Sequence, residues 1–407
     1  MKKRMPLNRF ATFHAEWKAS HASDVFTEFT EKGFSELPVL SASQEYGMIK
    51  RDDVGINMQY SKKNISSYKH VLPGQFVIHL RSFQGGFAHS AMEGITSPAY
   101  TILSLKEPQK HNDFFWKYLL TSPKFIKRLE LVTYGIRDGR SISVADFLNL
   151  SFSFPSSVDE QHEIAQFISH LDEILTAENK KLARLKNFKN ASLEKMFPKK
   201  GKRSPQVRFK DFSGDWEECK LSDYLSVCLE KNEKDQYSKY DIFSVSNDCG
   251  VINQIKYQGK SLAGASLKNY KVTHKDTVIY TKSPLKNQPY GIIKTNQDSS
   301  GIVSALYAVY QTNQKVCPQF VEVYFSSDNR LNNYLRPIVN KGAKNTLLVS
   351  DEGALSGMVV FPKDINEQIK IASFFNSLEK LISTQEQRIV KLRSLKKSFL
   401  EKMFVSV

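Results

Sequence analysis

Cysteine is scarce. The 407 residues hold four, Cys219, Cys228, Cys249 and Cys317, all in the second half and none in a C-x-x-C pair. That spacing excludes a disulfide framework and a thiolate zinc site, and predicts free, mostly buried thiols in a reducing compartment. Long apolar runs are missing as well. No stretch approaches the roughly eighteen apolar residues a membrane helix needs, and the basic opening Met1–Pro6 leads into no apolar signal core, so a cytoplasmic protein without membrane attachment is expected.

Catalytic signatures are equally thin. Gly259-Lys260-Ser261 lacks the glycine five residues earlier that a phosphate-cradling loop requires. Asn287-Gln288-Pro289-Tyr290 comes near the N-P-P-Y turn of amino-methyltransferases, but Gln288 stands where that motif has proline and no glycine-rich cofactor loop accompanies it. Of nine histidines, eight fall in the first half (His14, His21, His70, His79, His89, His111, His162, His170), and none sits in a metal-binding pattern. Acidic residues are scattered rather than clustered as in a nuclease. The expectation is a non-catalytic chain with no cofactor and no metal.

What the sequence does have is positive charge, with 58 Lys and Arg against 42 Asp and Glu, a net of +16. An excess of that size points to a polyanionic partner, and without membrane features the partner expected is nucleic acid. Apolar content of 41% is enough for real cores.

It also has an internal repeat. Phe154–Phe197 recurs without a gap as Phe361–Phe404, with Pro155/Pro362, Glu160/Glu367, Gln161/Gln368, Ile164/Ile371, Ala165/Ala372, Phe167/Phe374 and the closing Leu-Glu-Lys-Met-Phe identical. The lead-ins repeat too: Pro6, Arg9, Phe10, Phe13 and Trp17 match Pro205, Arg208, Phe209, Phe212 and Trp216. Between lead-in and repeat lie two bodies of short alternating strands, such as Phe76–Leu80 and Thr277–Thr281, followed by helical runs at Asp113–Leu131 and Pro318–Val339. Similarity there is confined to Gly94, Ile95, Ser97 and Tyr100, which align with Gly301, Ile302, Ser304 and Tyr307. The organisation read from this is a reader body at 1–155, a long helix at 156–197, a basic linker at 198–204, a second body at 205–362 and a second helix at 363–407. Asp159 and Asn366 are the expected N-caps.

Each long helix carries a heptad seam with polar breaks at matching places. The first runs Leu171, Leu175, Glu178, Leu182, Leu185, Lys189, Ser192 and Met196; the second runs Leu378, Ile382, Gln385, Ile389, Leu392, Lys396, Phe399 and Met403. Such narrow stripes suit a helix pair. An antiparallel pairing in which Leu182 meets Leu392 brings Glu178 to Lys396, Leu175 to Phe399, Leu171 to Met403 and Lys189 to Gln385, so that facing positions add to 574 and the polar breaks oppose each other.

Two diverged bodies, each followed by an E-Q-x-x-I-A-x-F helix ending in L-E-K-M-F, resemble the specificity subunit of type I restriction-modification enzymes. The resemblance spans the chain and includes Tyr280-Thr281-Lys282-Ser283-Pro284 and Pro289-Tyr290-Gly291. It implies an α/β (α+β) tandem fold of two target-recognition domains, separated by two helices packed as an antiparallel coiled coil with pseudo-twofold symmetry. It also implies double-stranded DNA, two modification subunits and the restriction (translocase) subunits as partners. About thirty helical residues at about 1.5 Å each give roughly 45 Å between bodies, hence an unread spacer of about five to eight base pairs. Candidate DNA contacts are Arg81, Gln84, Arg137 and Arg140 in the first body, and Lys282, Lys286, Asn287, Lys341, Lys344 and Asn345 in the second, since loop Arg, Lys, Asn and Gln read base edges and phosphates. An orphan two-domain repressor, an RNA-binding scaffold or an enzyme are the alternatives, separable by co-purifying subunits, by duplex-against-RNA competition and by incubation with a methyl donor.

Overall fold

The computed structural model describes residues 5–54, 62–134, 141–261, 264, 266–284, 288–342 and 347–405. It divides into two compact units, the first made of residues 1–180 with 386–407 and the second of residues 181–385. The boundaries fall inside the two long helices, so each unit contains a piece of both, unlike the body-then-helix division read from the sequence.

The first unit is built on an antiparallel four-stranded sheet in the order Phe26–Phe29, Thr101–Leu105, Phe76–Ile78, Ala88–His89. Phe76, Val77 and Ile78 are buried throughout, as befits a strand covered on both faces. Two-stranded ladders surround it: Leu40–Ser43 with Gly47–Lys50, Lys69–Val71 with Gly94–Thr96, and Lys18–His21 with Ser151–Phe154. The second unit repeats this pairing strand for strand. Its sheet runs Leu225–Val227, Ala308–Thr312, Val278–Tyr280, Ile293–Thr295, and its ladders are Phe243–Ser246 with Gly250–Asn253, Lys271–Thr273 with Gly301–Val303, and Glu217–Lys220 with Met358–Phe361. The repeated glycine has a steric cause in both. A Cβ on Gly94 would lie 2.6 Å from the Pro38 carbonyl oxygen, and one on Gly301 2.4 Å from that of Asp241.

The helical runs are each broken in two. Asp113–Leu119 and Pro123–Leu129 replace the single run expected, because Pro123 lacks an N–H and Ser122 caps the second piece by accepting from Phe125 N. Pro318–Phe325 and Asp328–Leu335 do likewise, divided at Ser326–Ser327. The long helices span Val158–Lys195 and Ile365–Met403. Their caps lie two residues earlier than expected: the Ser157 hydroxyl accepts from Glu160 N and the Asp364 carboxylate from Asn366 N, which leaves Asp159 and Asn366 within the first turn.

The repeated Glu-Gln pair holds each frame together. Glu160 accepts from Arg9 and from the Trp17 indole, while Gln161 accepts from Asn112 N and donates to Pro155 O. Glu367 accepts from Arg208, while Gln368 accepts from Cys317 N and donates to Pro362 O. Buried side chains that satisfy lead-in, strand end and loop at once explain why these residues recur when the bodies diverge.

The closing pentapeptides are core pieces. Met403 and Phe404 are buried in the first unit's core beside Phe115, and Phe404 O accepts from Lys124. Met196 and Phe197 are buried in the second unit's core, where Phe197 packs on Trp216 and under the Arg330 guanidinium, 4.3 Å from the ring.

Within the first unit, position numbers rise along one long helix as they fall along the other. The register differs from that expected by one heptad. Lys396 pairs with Asp172 rather than Glu178, Glu178 pairs with Arg388, and Phe399 packs on Phe167 rather than Leu175. In the second unit Lys189 pairs with Glu379 rather than Gln385. The paired positions add to 566–568 instead of 574. After this slip of seven the polar breaks no longer oppose each other: seam positions Leu171 and Lys396, Glu178 and Ile389, Leu182 and Gln385, and Lys189 and Leu378 come to the same levels, so matching of breaks does not set the register. The choice is made by flanking charges and by the pentapeptides anchored in the cores.

Candidate nucleic-acid interface

In the first unit, Arg81 and Gln84 are both exposed on a short helical turn, Ser82–Gly85, that follows strand Phe76–Ile78. The turn ends at Gly86 with φ +79°, where a Cβ would strike the Leu120 carbonyl oxygen at 2.0 Å, so only glycine permits this close seat. Ahead of it stands His79, whose Nδ1 accepts from Arg81 N; burial, then the Arg81 charge, pushes its pKa down to about 4, so it is neutral at pH 7. Strand Ser141–Ile142 lies against the Ser82–Gly85 turn and pairs with Thr133–Tyr134. These two strands are the stems of the segment bearing Arg137 and Arg140, which themselves lie outside the described residues.

The second unit places its segments together in a comparable way. Strand Val278–Tyr280 leads to Lys282, at φ +47°, whose ammonium pairs with Asp351 and reaches Val349 O at 3.4 Å. Lys271 pairs with the same carboxylate. Burial works against the Asp351 charge, but the two lysines outweigh it and hold its pKa below the usual carboxylate range. Asn340–Lys341 pairs with Leu347–Leu348, flanking Lys344 and Asn345. Those two, with Lys286 and Asn287, lie outside the described residues, and of Lys341 only the backbone is described. Gln288 is buried and donates to Asp328, and Tyr290 O accepts from Tyr280, so the near-motif is a packed turn.

Asp351 gave no sequence signal, since nothing local distinguishes it from a solvated aspartate. The four cysteines are free, but only Cys228 and Cys317 are buried; Cys249 is exposed at a hairpin turn. Among the described residues no cluster of His, Cys, Asp or Glu could hold a metal ion, and no helix is long and apolar enough to cross a membrane.

Compared with known proteins, residues 15–187 match the family described as type I restriction modification DNA specificity domain. No curated protein matches the chain. Among solved structures, the S subunit of a type I restriction-modification system from M. genitalium superposes with a TM-score of 0.61 at 14% identity, covering 99% of this chain and 100% of that one. A chain from a study of complex assembly and conformational transition in a type I R-M system gives 0.50 at 12% identity, covering 96% and 98%. At such identities the likeness is one of fold, mixed helix and sheet across the whole chain. Residues 15–187, less than half of the 407, are thus similar to the type I restriction modification DNA specificity domain, and across the whole chain the fold is similar to that of a type I restriction-modification S subunit.

Proposed function

We propose that this chain reads a bipartite DNA site, one half-site per unit with an unread spacer of about five to eight base pairs, and docks two modification subunits and the restriction subunits in the cytoplasm. The observation that carries this reading is the matched construction of the units. Each has the same strand pairing and the same Arg–Glu and Gln frame bonds, and in each a candidate residue lies beside a second loop, the Ser82–Gly85 turn against strand Ser141–Ile142 in one and Lys282 against Val349 and Asp351 in the other. A constant frame carrying different loops is what two different short sequences require of one chain. The long helices act in this reading as an antiparallel coiled coil about a pseudo-twofold axis, and their length sets the spacer.

Binding to duplexes altered in one half-site at a time tests it. Arg81→Ala should weaken recognition of one half and Lys282→Ala the other, each by about 1–3 kcal/mol if a base contact is lost. Equal loss on both halves from either change rules out one reader per unit. Inserting seven residues after Ala183 and seven after Ser383, opposite each other in the observed register, should lengthen the methylated spacer by about three base pairs at about 1.5 Å per residue. Methylation retained at the original spacing would mean the helices are not the ruler. A chain that binds its site but never co-purifies with a methyltransferase would instead be an orphan repressor.

A further inference from the structure

The first unit holds a cavity of about 340 Å³ between helix Pro123–Leu129, strand Ser151–Phe154 and the closing residues Phe404 and Val405. Its apolar lining is Leu119, Phe125, Phe152 and Phe404, all part of that unit's core. Its polar lining is cationic. Lys124, Lys127 and Arg128, three and four positions apart, share one face of the helix. Glu130, the acidic residue of the lining, is exposed and pairs with none of the three among the described residues.

Two polar groups of the lining lack a partner of their own kind. Arg128 donates from Nη1 to Ser151 O at 2.8 Å and lies 5.5 Å over the Phe152 ring, yet no carboxylate pairs with it among the described residues, and burial lowers its pKa. Ser153 is 3% exposed, and its hydroxyl has no hydrogen-bond partner among the described residues. A partly buried guanidinium without a counter-charge and a buried hydroxyl without a partner each carry a desolvation cost that one anionic acceptor offsets. The second unit treats the equivalent ring differently: Arg330 covers Phe197 and donates to Tyr324 O and Leu193 O.

We propose that this cavity binds a small organic carboxylate, with its apolar body against the phenylalanine rings and its charge on Arg128 and Ser153. A carboxylate accepts from guanidinium and hydroxyl at once, which a neutral apolar ligand cannot do, while a cation meets three like charges. The volume lies at the lower end of small-molecule pockets, about 300–1,000 Å³, and suits a single ring on a short chain. A partner protein needs about 1,000 Å² or more of buried surface, which a cavity of this size does not supply by itself. Because helix Pro123–Leu129 and Phe404 both line the cavity, the ligand ties the closing pentapeptide to the body it completes.

This site does not depend on the DNA-reading function above. Titration calorimetry on the full-length chain tests it with phenylbutyrate as the probe and phenylbutylamine, of the same shape and opposite charge, as the control. The carboxylate should bind at one equivalent, with half-saturation at or below about 1 mM, and the amine should not bind. Arg128→Gln should weaken carboxylate binding by at least about tenfold, and Lys127→Glu, a change at an exposed position, by at least about threefold. Should Arg128→Gln fail to fold, Lys127→Glu decides alone. No saturable binding of the carboxylate, equal binding of the amine, or an affinity unchanged in the folded variants overturns the site.

Discussion

Arg9 and Glu160, 151 positions apart, close a two-pronged bridge: Nε reaches Oε1 at 2.6 Å and Nη2 reaches Oε2 at 2.7 Å. The Trp17 indole adds a third donor to Oε1 at 3.0 Å. The second frame keeps its bridge from Arg208 to Glu367, but the indole nitrogen of Trp216 is buried without a partner among the described residues. Trp17→Phe should therefore destabilise more than Trp216→Phe, by about 1 kcal/mol for the lost bond to a charged acceptor. Thermal unfolding reads this as roughly 2–4 °C. Equal losses would show that the indole bond contributes nothing beyond packing.

The helix register makes a second prediction. Lys396 sits between Asp172 and the Tyr118 ring, and Tyr118 itself donates to Asp172 at 3.0 Å. Lys396→Asp should destabilise, and adding Asp172→Lys should recover part of the loss, with a coupling of about 0.5–1 kcal/mol for a half-exposed pair. Glu178→Lys should recover none. Rescue by Glu178→Lys instead would restore the register in which facing positions add to 574.

His70 is buried, stacked on Phe34, and hydrogen-bonded at 2.8 Å by Nδ1 to Glu31 and by Nε2 to Glu93. Only the imidazolium can donate to both carboxylates. Burial works against that charge, but the two bonds outweigh it and raise the pKa above the ordinary histidine value. A raised folded pKa means stability that is fully present below the unfolded pKa and lost as pH rises through the folded one. His70→Gln should thus cost more at pH 5.5 than at pH 9, the difference being about 1 kcal/mol because both glutamates are half-exposed. A pH-independent loss in Tm would count against a charged His70.

Asp351 neutralises Lys282, proposed to meet DNA, together with Lys271 of strand Lys271–Thr273. Asp351→Asn should tighten duplex binding at low salt and steepen the salt dependence, by about 0.9 in log–log slope for each lysine that reaches a phosphate. Anisotropy titrations at several salt concentrations measure it. An unchanged slope would mean that Lys271 and Lys282 do not approach the backbone of DNA.

Much of the frame was legible because it is written twice. Identical residues at a constant offset mark two long helices, read as 156–197 and 363–407 and observed at Val158–Lys195 and Ile365–Met403, and the paired Gly94 and Gly301 tie the two bodies to one strand pairing. The helix breaks at Ser122 and Ser326 were not read, although Pro123 marked the first. The seam pointed to the wrong register, since matching its polar breaks favours facing positions that add to 574 while the ion pairs of the structure lie one heptad away. The candidate interface was the least legible part. A loop Lys282 that reads as a free cation proves to be shared with Asp351, sixty-nine positions away.

The burial of Phe404 in the first unit and of Phe197 in the second has a consequence for how such a chain can change over time. Each core is finished by a pentapeptide encoded at the end of the other half, and the two pentapeptides are identical. They are interchangeable parts. A body exchanged by recombination between its lead-in arginine and its helix-opening Glu-Gln pair meets the same closing residues whichever half it enters. A body can accordingly be replaced whole, with no change in the parts that close around it.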